Sequence, residues 1–211
     1  MDKIVCLGKN YVAHVREIGE AIPDKPVIFM KPPSALRAGR NGEHLTVHLP
    51  PAPGIVHAEC EIVLQLGHGG YRMNAVQAQR CIGAVTLGLD MTLYEKHQEL
   101  KKNRHPWTTC KAFPESAVIG PWRSVGDVPH YMKEIFSLAV EGVGTQGARG
   151  DEMMLKPADS VAYISQFLLL EPGDLIFTGT PHGVLEIASG QTGVLRWLDF
   201  DYTVTWQEIR P

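Results

Sequence analysis

Between His57 and Leu66 the chain alternates so regularly that an extended strand is the natural fit. Side chains of a strand point to opposite faces in turn. Ala58, Cys60, Ile62, Leu64 and Leu66 therefore share one side, and His57, Glu59, Glu61, Val63 and Gln65 share the other. The first face is core. The second carries two glutamates whose Cα atoms stand ~7 Å apart, two strand rises. Carboxylates that close repel, and one is driven to keep its proton unless a cation stands between them. A hard divalent metal would serve, because such ions take oxygen ligands and commonly draw on a third carboxylate. Asp90, at the end of the apolar run 82–89, is a candidate for the third. The plainer alternative is a solvated sheet face with Asp90 opening a turn. Both alternatives keep the strand.

A chain of 211 residues suffices for one sizeable core, and a single domain over 1–211 is expected. With 20 basic and 23 acidic residues and a net charge of −3, it has no electrostatic footprint for nucleic acid or an anionic membrane. A small molecule is the expected partner. Cys6, Cys60, Cys81 and Cys110 have neither CxxC nor metal-knuckle spacing, and they read as reduced thiols of a cytoplasmic protein. The first residues read as a strand, so neither a signal peptide nor a spanning helix is expected.

Strands are expected over 4–7, 27–30 and 45–49, with a helix over 11–18 capped by Asn10. A short helix is expected over 74–80, and 92–102 reads as a helix or a lid. A hairpin follows residue 135. A helix opened by Asp159 or Ser160 should bury Val161, Ile164, Phe167 and Leu168. Glu171-Pro172-Gly173-Asp174 turns into a strand over 175–177, and 193–209 alternates as a closing hairpin would.

Several polar residues have two readings when taken singly. His14 and Glu17 share a helix face, either as a surface ion pair or as a base with its orienting acid. Lys31 is a loop charge or a contact for a substrate carboxylate. Lys111, a lone lysine among small and apolar neighbours, reads as solvated when taken singly. His57 could brace a ligand by a hydrogen bond or be an ordinary loop histidine. Thr178-Gly179-Thr180-Pro181 could offer backbone N–H groups and the Thr180 hydroxyl to an anion, or simply turn the chain.

Taken in order, Lys9-Asn10-Tyr11 with His14 and Glu17, Lys31-Pro32, His57-x-Glu59-x-Glu61, Leu89-Asp90-Met91-Thr92, Lys111-Ala112-Phe113 and Thr178-Gly179-Thr180-Pro181-x-Gly183 resemble the fumarylacetoacetate hydrolase family. The likeness runs from about Ile4 to beyond Gly183 and looks like the short form, near the acylpyruvate hydrolases. The resemblance implies an α+β, predominantly β fold: a mixed β-sheet roll with peripheral helices, usually a homodimer. It implies that Glu59, Glu61 and Asp90 hold Mg²⁺ or Mn²⁺, that His14 with Glu17 activates water, and that Lys111 stabilises developing negative charge. Lys31 and Thr180 would help hold the substrate.

The activity so implied is metal-dependent hydrolysis of a carbon–carbon bond in a β-diketo acid of acylpyruvate or fumarylpyruvate type. Oxaloacetate decarboxylation or keto–enol tautomerisation on the same site is the alternative, and a metal-bearing binder with weak chemistry is the rival from another class. The family usually carries an Arg-Asp pair and then a Gln after the metal aspartate. Tyr94, Glu95 and His97 stand there instead, and loss of a fork-shaped guanidinium alters which carboxylates or oxo groups can be held. His97 thereby becomes a candidate substrate contact.

Overall fold

The computed structural model describes residues 1–209; residues 210 and 211, the end of the expected domain, lie outside them. The chain runs through β1 (Ile4–Gly8), α1 (Val12–Glu17), β2 (Val27–Lys31), β3 (Leu36–Ala38), β4 (His44–Leu49) and β5 (Val56–Leu66). It continues through α2 (Ala75–Cys81), β6 (Ile82–Leu93), α3 (Tyr94–Lys102), α4 (Thr108–Lys111), β7 (Ala117–Ile119) and β8 (Arg123–Ser124). The last part holds β9 (Ile135–Val140), β10 (Gly144–Arg149), α5 (Pro157–Ser165), β11 (Leu175–Phe177), β12 (Leu185–Ile187), β13 (Thr192–Trp197) and β14 (Phe200–Glu208).

These strands form two mixed sheets. In the larger, nine-stranded one the path is β2-β1-β11-β5-β6-β7-β3, with β12 also on β5 and β8 also on β6. The smaller sheet runs β10-β9-β13-β14-β4. Parallel pairs join β1 to β11, β3 to β7 and β14 to β4, and the remaining pairs are antiparallel. The even-numbered side chains of β5 meet Leu138, Leu195, Val204 and Trp206 of the small sheet in one core. Tyr202 ties the layers together, because its hydroxyl donates to Leu87 O at 2.9 Å. Burying each such large apolar side chain contributes roughly 1.5–3 kcal/mol. A second, smaller cluster of Ile4, Cys6, Val63, Ala117, Ile119 and Phe177 covers part of the other face of the large sheet. That face, with Glu59 and Glu61, is the one on which the site is built.

β5 is covered on both sides from Cys60 to Leu64, so its alternation of residue type ends in continuous burial. Three local expectations are corrected. Asn10 does not cap the first helix: Tyr11 occupies the N-cap without a side-chain bond, and Asn10 is buried with its amide donating to Thr178 O (2.8 Å) and Leu155 O (3.0 Å). Two inward carbonyls satisfy that amide better than a helix end facing solvent. The helix expected from Asp159 or Ser160 starts earlier, at Pro157 with Lys156 as N-cap, since proline suits a first helical turn that has no use for its missing N–H. Val161 and Ile164 are buried there, but Phe167 lies beyond the helix and is 63% exposed. Finally, β6 carries on through Leu93 before α3 begins, so Thr92 is a strand residue. Among the described residues no helix is long and apolar enough to cross a membrane.

Candidate active site

Register brings the acids together. Glu59 pairs with Asp90 across β5 and β6, and directly opposed residues project from the same face of an antiparallel pair. Glu61 follows two residues along, opposite Gly88. At Gly88 a Cβ would lie 2.5 Å from Val118 O and 2.8 Å from a Val63 methyl, so the close approach of the neighbouring strand requires glycine. One oxygen from each of Glu59, Glu61 and Asp90 lies within 4.8 Å of the others. Glu61 and Asp90 are fully buried, and Glu59 faces the cavity.

Two lysines balance this charge. Lys111 Nζ donates to Glu59 Oε1 (3.0 Å), Glu59 Oε2 (2.9 Å) and Asp90 Oδ2 (2.8 Å). Burial pushes the Glu59 carboxyl up, but the Lys111 charge with hydrogen bonds from Thr92 and Lys111 outweighs it and holds the group down at about 2. Burial alone would lower the Lys111 ammonium, yet Asp90 and Glu59 raise it well above its usual range. Glu61 is the odd carboxylate. Burial, then the charges of Asp90 and Glu59, push it well above the usual range, against one backbone donor, Gly179 N–H at 2.7 Å.

Lys31 lies behind the acids. Its buried ammonium donates to Met91 O (3.1 Å), Ser116 O (2.9 Å) and Lys111 O, and approaches Asp90 Oδ1 to 2.8 Å. The substrate contact expected of Lys31 is not what this arrangement displays: with three carbonyls and a carboxylate around it, the ammonium braces Asp90 and the backbone before Lys111.

The turn after β11 is a second wall. Thr178 donates its hydroxyl to Ile62 O at 2.8 Å. Gly179 has φ 97, and a Cβ there would stand 2.8 Å from Asn10 Cβ and 2.9 Å from Leu7 O. Only glycine can present this N–H to Glu61. Thr180 donates to Cys60 O (3.1 Å) and accepts from Gln146 Nε2 (2.8 Å), so its hydroxyl is engaged within the wall. Gln146 also accepts from Cys60 N (2.9 Å).

A cavity of ≈ 50 Å³, open to solvent, lies over the acids and is lined by Glu59, Glu61, Lys111, His14, His97 and Thr180 among others. His14 Nδ1 stands 3.4 Å from Glu17 Oε2, and Gly183 N–H holds the Glu17 carboxylate at 3.0 Å from each oxygen. The turn that serves Glu61 thus leads into the anchor of the His14–Glu17 pair. His97 stands edge-on to Trp107 (4.7 Å, 82°). Burial, reinforced by the Lys111 charge, lowers its pKa to about 4, so its imidazole is neutral at pH 7. His57 stacks on Tyr94 (4.3 Å, 22°) beside the same opening. Six of the nine residues singled out from sequence line this one cavity, Asp90 lies just beneath it, Glu17 borders the adjoining opening, and Lys31 stands behind.

The acids suit a hard divalent ion. Three carboxyl groups share two ammonium groups, so Glu61 sheds its proton readily only where a further cation compensates it, and Asp90 Oδ1 is buried with no hydrogen-bond donor aligned on it. An all-oxygen set of this kind fits Mg²⁺ or Mn²⁺. Sequence reasoning missed Gln146, whose strand carries no cue to a buried amide, and Thr92, whose hydroxyl donates to Glu59 at 2.6 Å. Thr92 was within reach, because it shares strand parity with Asp90.

The family model for the fumarylacetoacetate (FAA) hydrolase C-terminal domain matches residues 3–201. A mitochondrial oxaloacetate tautomerase of Caenorhabditis elegans is 36% identical over 89% of this chain and 86% of its own. An oxaloacetate tautomerase of Escherichia coli is 34% identical over 90% of this chain and 85% of its own. The crystal structure of fumarylpyruvate hydrolase from Pseudomonas aeruginosa in complex with Mn²⁺ and pyruvate superposes with a TM-score of 0.92 at 32% identity, covering 99% of this chain and 91% of that one. The chain belongs to the fumarylacetoacetate hydrolase family.

Proposed function

We propose that the protein is a divalent-metal-dependent enzyme of small 2-oxo acids with a second carbonyl or carboxyl group, and that it interconverts the keto and enol forms of an oxaloacetate-like substrate. The observation that carries this is one cavity in which His14, paired with Glu17 at its edge, faces Glu59 and Glu61 of an acid triad completed by Asp90 beneath. The relatives named oxaloacetate tautomerase support the same chemistry. Glu59, Glu61 and Asp90 would hold Mg²⁺ or Mn²⁺. When bound, the ion supplies Lewis-acid polarisation of the 2-oxo carboxylate.

The chain's own groups do the rest. His14, held by Glu17, takes a proton from the carbon between the two carbonyls and delivers it to the 2-oxo oxygen, which becomes the enol hydroxyl, and the reverse transfer restores the keto form; a positioned acid–base group typically contributes ~10²–10⁴-fold. Lys111 offsets negative charge on the substrate oxygen, a role in which removing one donor costs ~10²–10³ in kcat. Neutral His97, with an unpartnered Nε2, is a substrate contact, and Thr180 shapes the wall beside Glu61.

Hydrolysis of an acylpyruvate is the second reading. It is favoured by the same dyad, since a fixed base could equally draw a proton from water, and by the fumarylpyruvate hydrolase likeness. Following the enol absorbance of oxaloacetate and of small acylpyruvates, with Mn²⁺, with Mg²⁺ and with chelator, decides between them. Oxaloacetate is expected to ketonise faster than it does unaided, and only with metal. His14→Ala in a folded, metal-binding protein should lose that activity and any hydrolysis by orders of magnitude. Oxaloacetate decarboxylation, which has less need of a base, should fall much less. Proportional loss of all three would remove His14 from the role of base, and activity indifferent to chelator would sink the metal-dependent reading.

A further inference from the structure

Lys9 and Lys101 line the cavity away from its acid triad, while of the two further carboxylates at the adjoining opening Glu17 is held by Gly183 N–H and Glu186 is 66% exposed. α3 turns Tyr94, His97, Gln98 and Lys101 toward the opening, the spacing of a single helix face, and Lys101 is the cation among them. On the other side Lys9 leaves β1 with φ 65, a backbone conformation a residue with a side chain rarely keeps unless its surroundings impose it. That bend places Lys9 in the wall beside Gly8. Both ammonium groups pair with one carboxylate, Glu20, and all three side chains are only 21–26% exposed. Burial pushes the Glu20 carboxyl up, but the hydrogen bonds and charges of Lys101 and Lys9 outweigh it and keep the group ionised. Two cations therefore share one anion, and one positive charge is left in a half-buried place where a charge seeks a partner. Between this cluster and the acid triad the wall is neutral, formed by Phe29, Trp107 and the uncharged ring of His97.

We propose that Lys9 and Lys101, steadied by Glu20, form a subsite for the second carboxylate of the substrate, which is therefore a dicarboxylic 2-oxo acid. This deepens the reading above, because it assumes that the 2-oxo carboxylate end goes to Glu59, Glu61 and Asp90. The neutral wall then faces the carbon chain between two charged ends. The competing account makes Glu20 a latch that ties α3 to the segment after α1 and has no part in selectivity.

Calorimetric binding to the Mn²⁺-loaded protein separates the two, using 2-oxoglutarate, which has the second carboxylate, and 2-oxobutyrate, which lacks it. The parent should prefer 2-oxoglutarate. Lys101→Met should cut that preference about 10-fold, in line with loss of one charge-assisted hydrogen bond, and Lys101→Arg should restore most of it. Glu20→Gln should sharpen the preference several-fold by freeing both ammonium groups. A parent that does not favour 2-oxoglutarate, or variants that change both ligands alike, would overturn the subsite. Because binding is the readout, a preference that follows Lys101 in a protein that turns over no 2-oxo acid would sink the proposed reaction and leave the subsite standing.

Discussion

Lys31 and Lys111 show how little a residue's type says about its work. Both are buried lysines beside Asp90, but one faces a cavity and the other faces backbone. Lys31 saturates three carbonyls and lies against a carboxylate, so removing its charge strands four acceptors in the interior. Breaking a buried pair from one side costs ~3–5 kcal/mol. Lys31→Met should therefore lower stability by about that much in urea unfolding, even where metal binding survives. His97 gives a residue-scale prediction of a different kind. Its pKa falls from the ordinary histidine value of 6.5 to about 4 on folding, so between those pH values the unfolded chain binds more protons and stability drops as the solution is acidified. At 1.36 kcal/mol per unit, the loss across that window is at most about 3 kcal/mol. His97→Gln should flatten the pH dependence of unfolding between pH 6.5 and 4 relative to the parent. Parallel curves for the two proteins would show that the ring protonates as freely in the folded state as outside it.

At the scale of elements, the site is made by two neighbouring strands and one turn, and the turn is the more fragile part. Gly179 has left-handed backbone, and the space a Cβ would need is taken by Asn10 and Leu7 O. Gly179→Ala must push the turn away from β1, which removes the N–H from Glu61 and weakens the wall against Asn10. The expected outcome is lower stability together with weaker Mn²⁺ binding, whereas Gly142→Ala, also at positive φ but with nothing within 4 Å, should leave metal affinity unchanged. The elements themselves were largely legible. The alternation at 57–66, the apolar run 82–89 ending in an acid and the short helix expected over 74–80 are local signals, and local physics decides them. What was hidden depended on distant chain. Asn10 looked like a helix cap because its real partners, Thr178 and Leu155, are about 145 residues or more away. Phe167 looked buried because its spacing suits a helix that in fact stops at Ser165. Lys31 looked solvated or substrate-facing because nothing in Lys31-Pro32-Pro33 discloses the three carbonyls that surround it.

Across the whole molecule, the two sheets enclose a core that can tolerate an electrostatically expensive patch on its outer face. Glu61 is 1% exposed, has a single backbone donor and stands beside two other carboxylates. Without a divalent cation that arrangement costs stability, because the folded state must keep Glu61 protonated while the unfolded chain ionises it freely above the ordinary carboxyl pKa. The penalty grows as pH rises above that value. Replacing the acid by its neutral amide should therefore stabilise the metal-free protein at pH 7 and remove a ligand at the same time. A bound ion has the opposite effect on the parent: at 100 times its Kd it adds ≈ 2.7 kcal/mol to folding. For a chain of this length each kcal/mol moves Tm by ≈ 2–4 °C, so Mn²⁺ should raise the parent's Tm by roughly 5–11 °C, and chelator should reverse the rise. Glu61→Gln should start from a higher Tm in chelator and gain little from Mn²⁺, so the two proteins exchange rank as metal is added. Asp90→Ala should also lose the metal-dependent rise but start lower, since it leaves the ammonium groups of Lys31 and Lys111 with one carboxylate fewer. Thermal unfolding of the three proteins, with and without Mn²⁺, tests this directly. An Asp90→Ala variant that keeps the full rise would place the ion elsewhere, and a Glu61→Gln variant less stable than the parent in chelator would mean that Glu61 serves the fold through its charge.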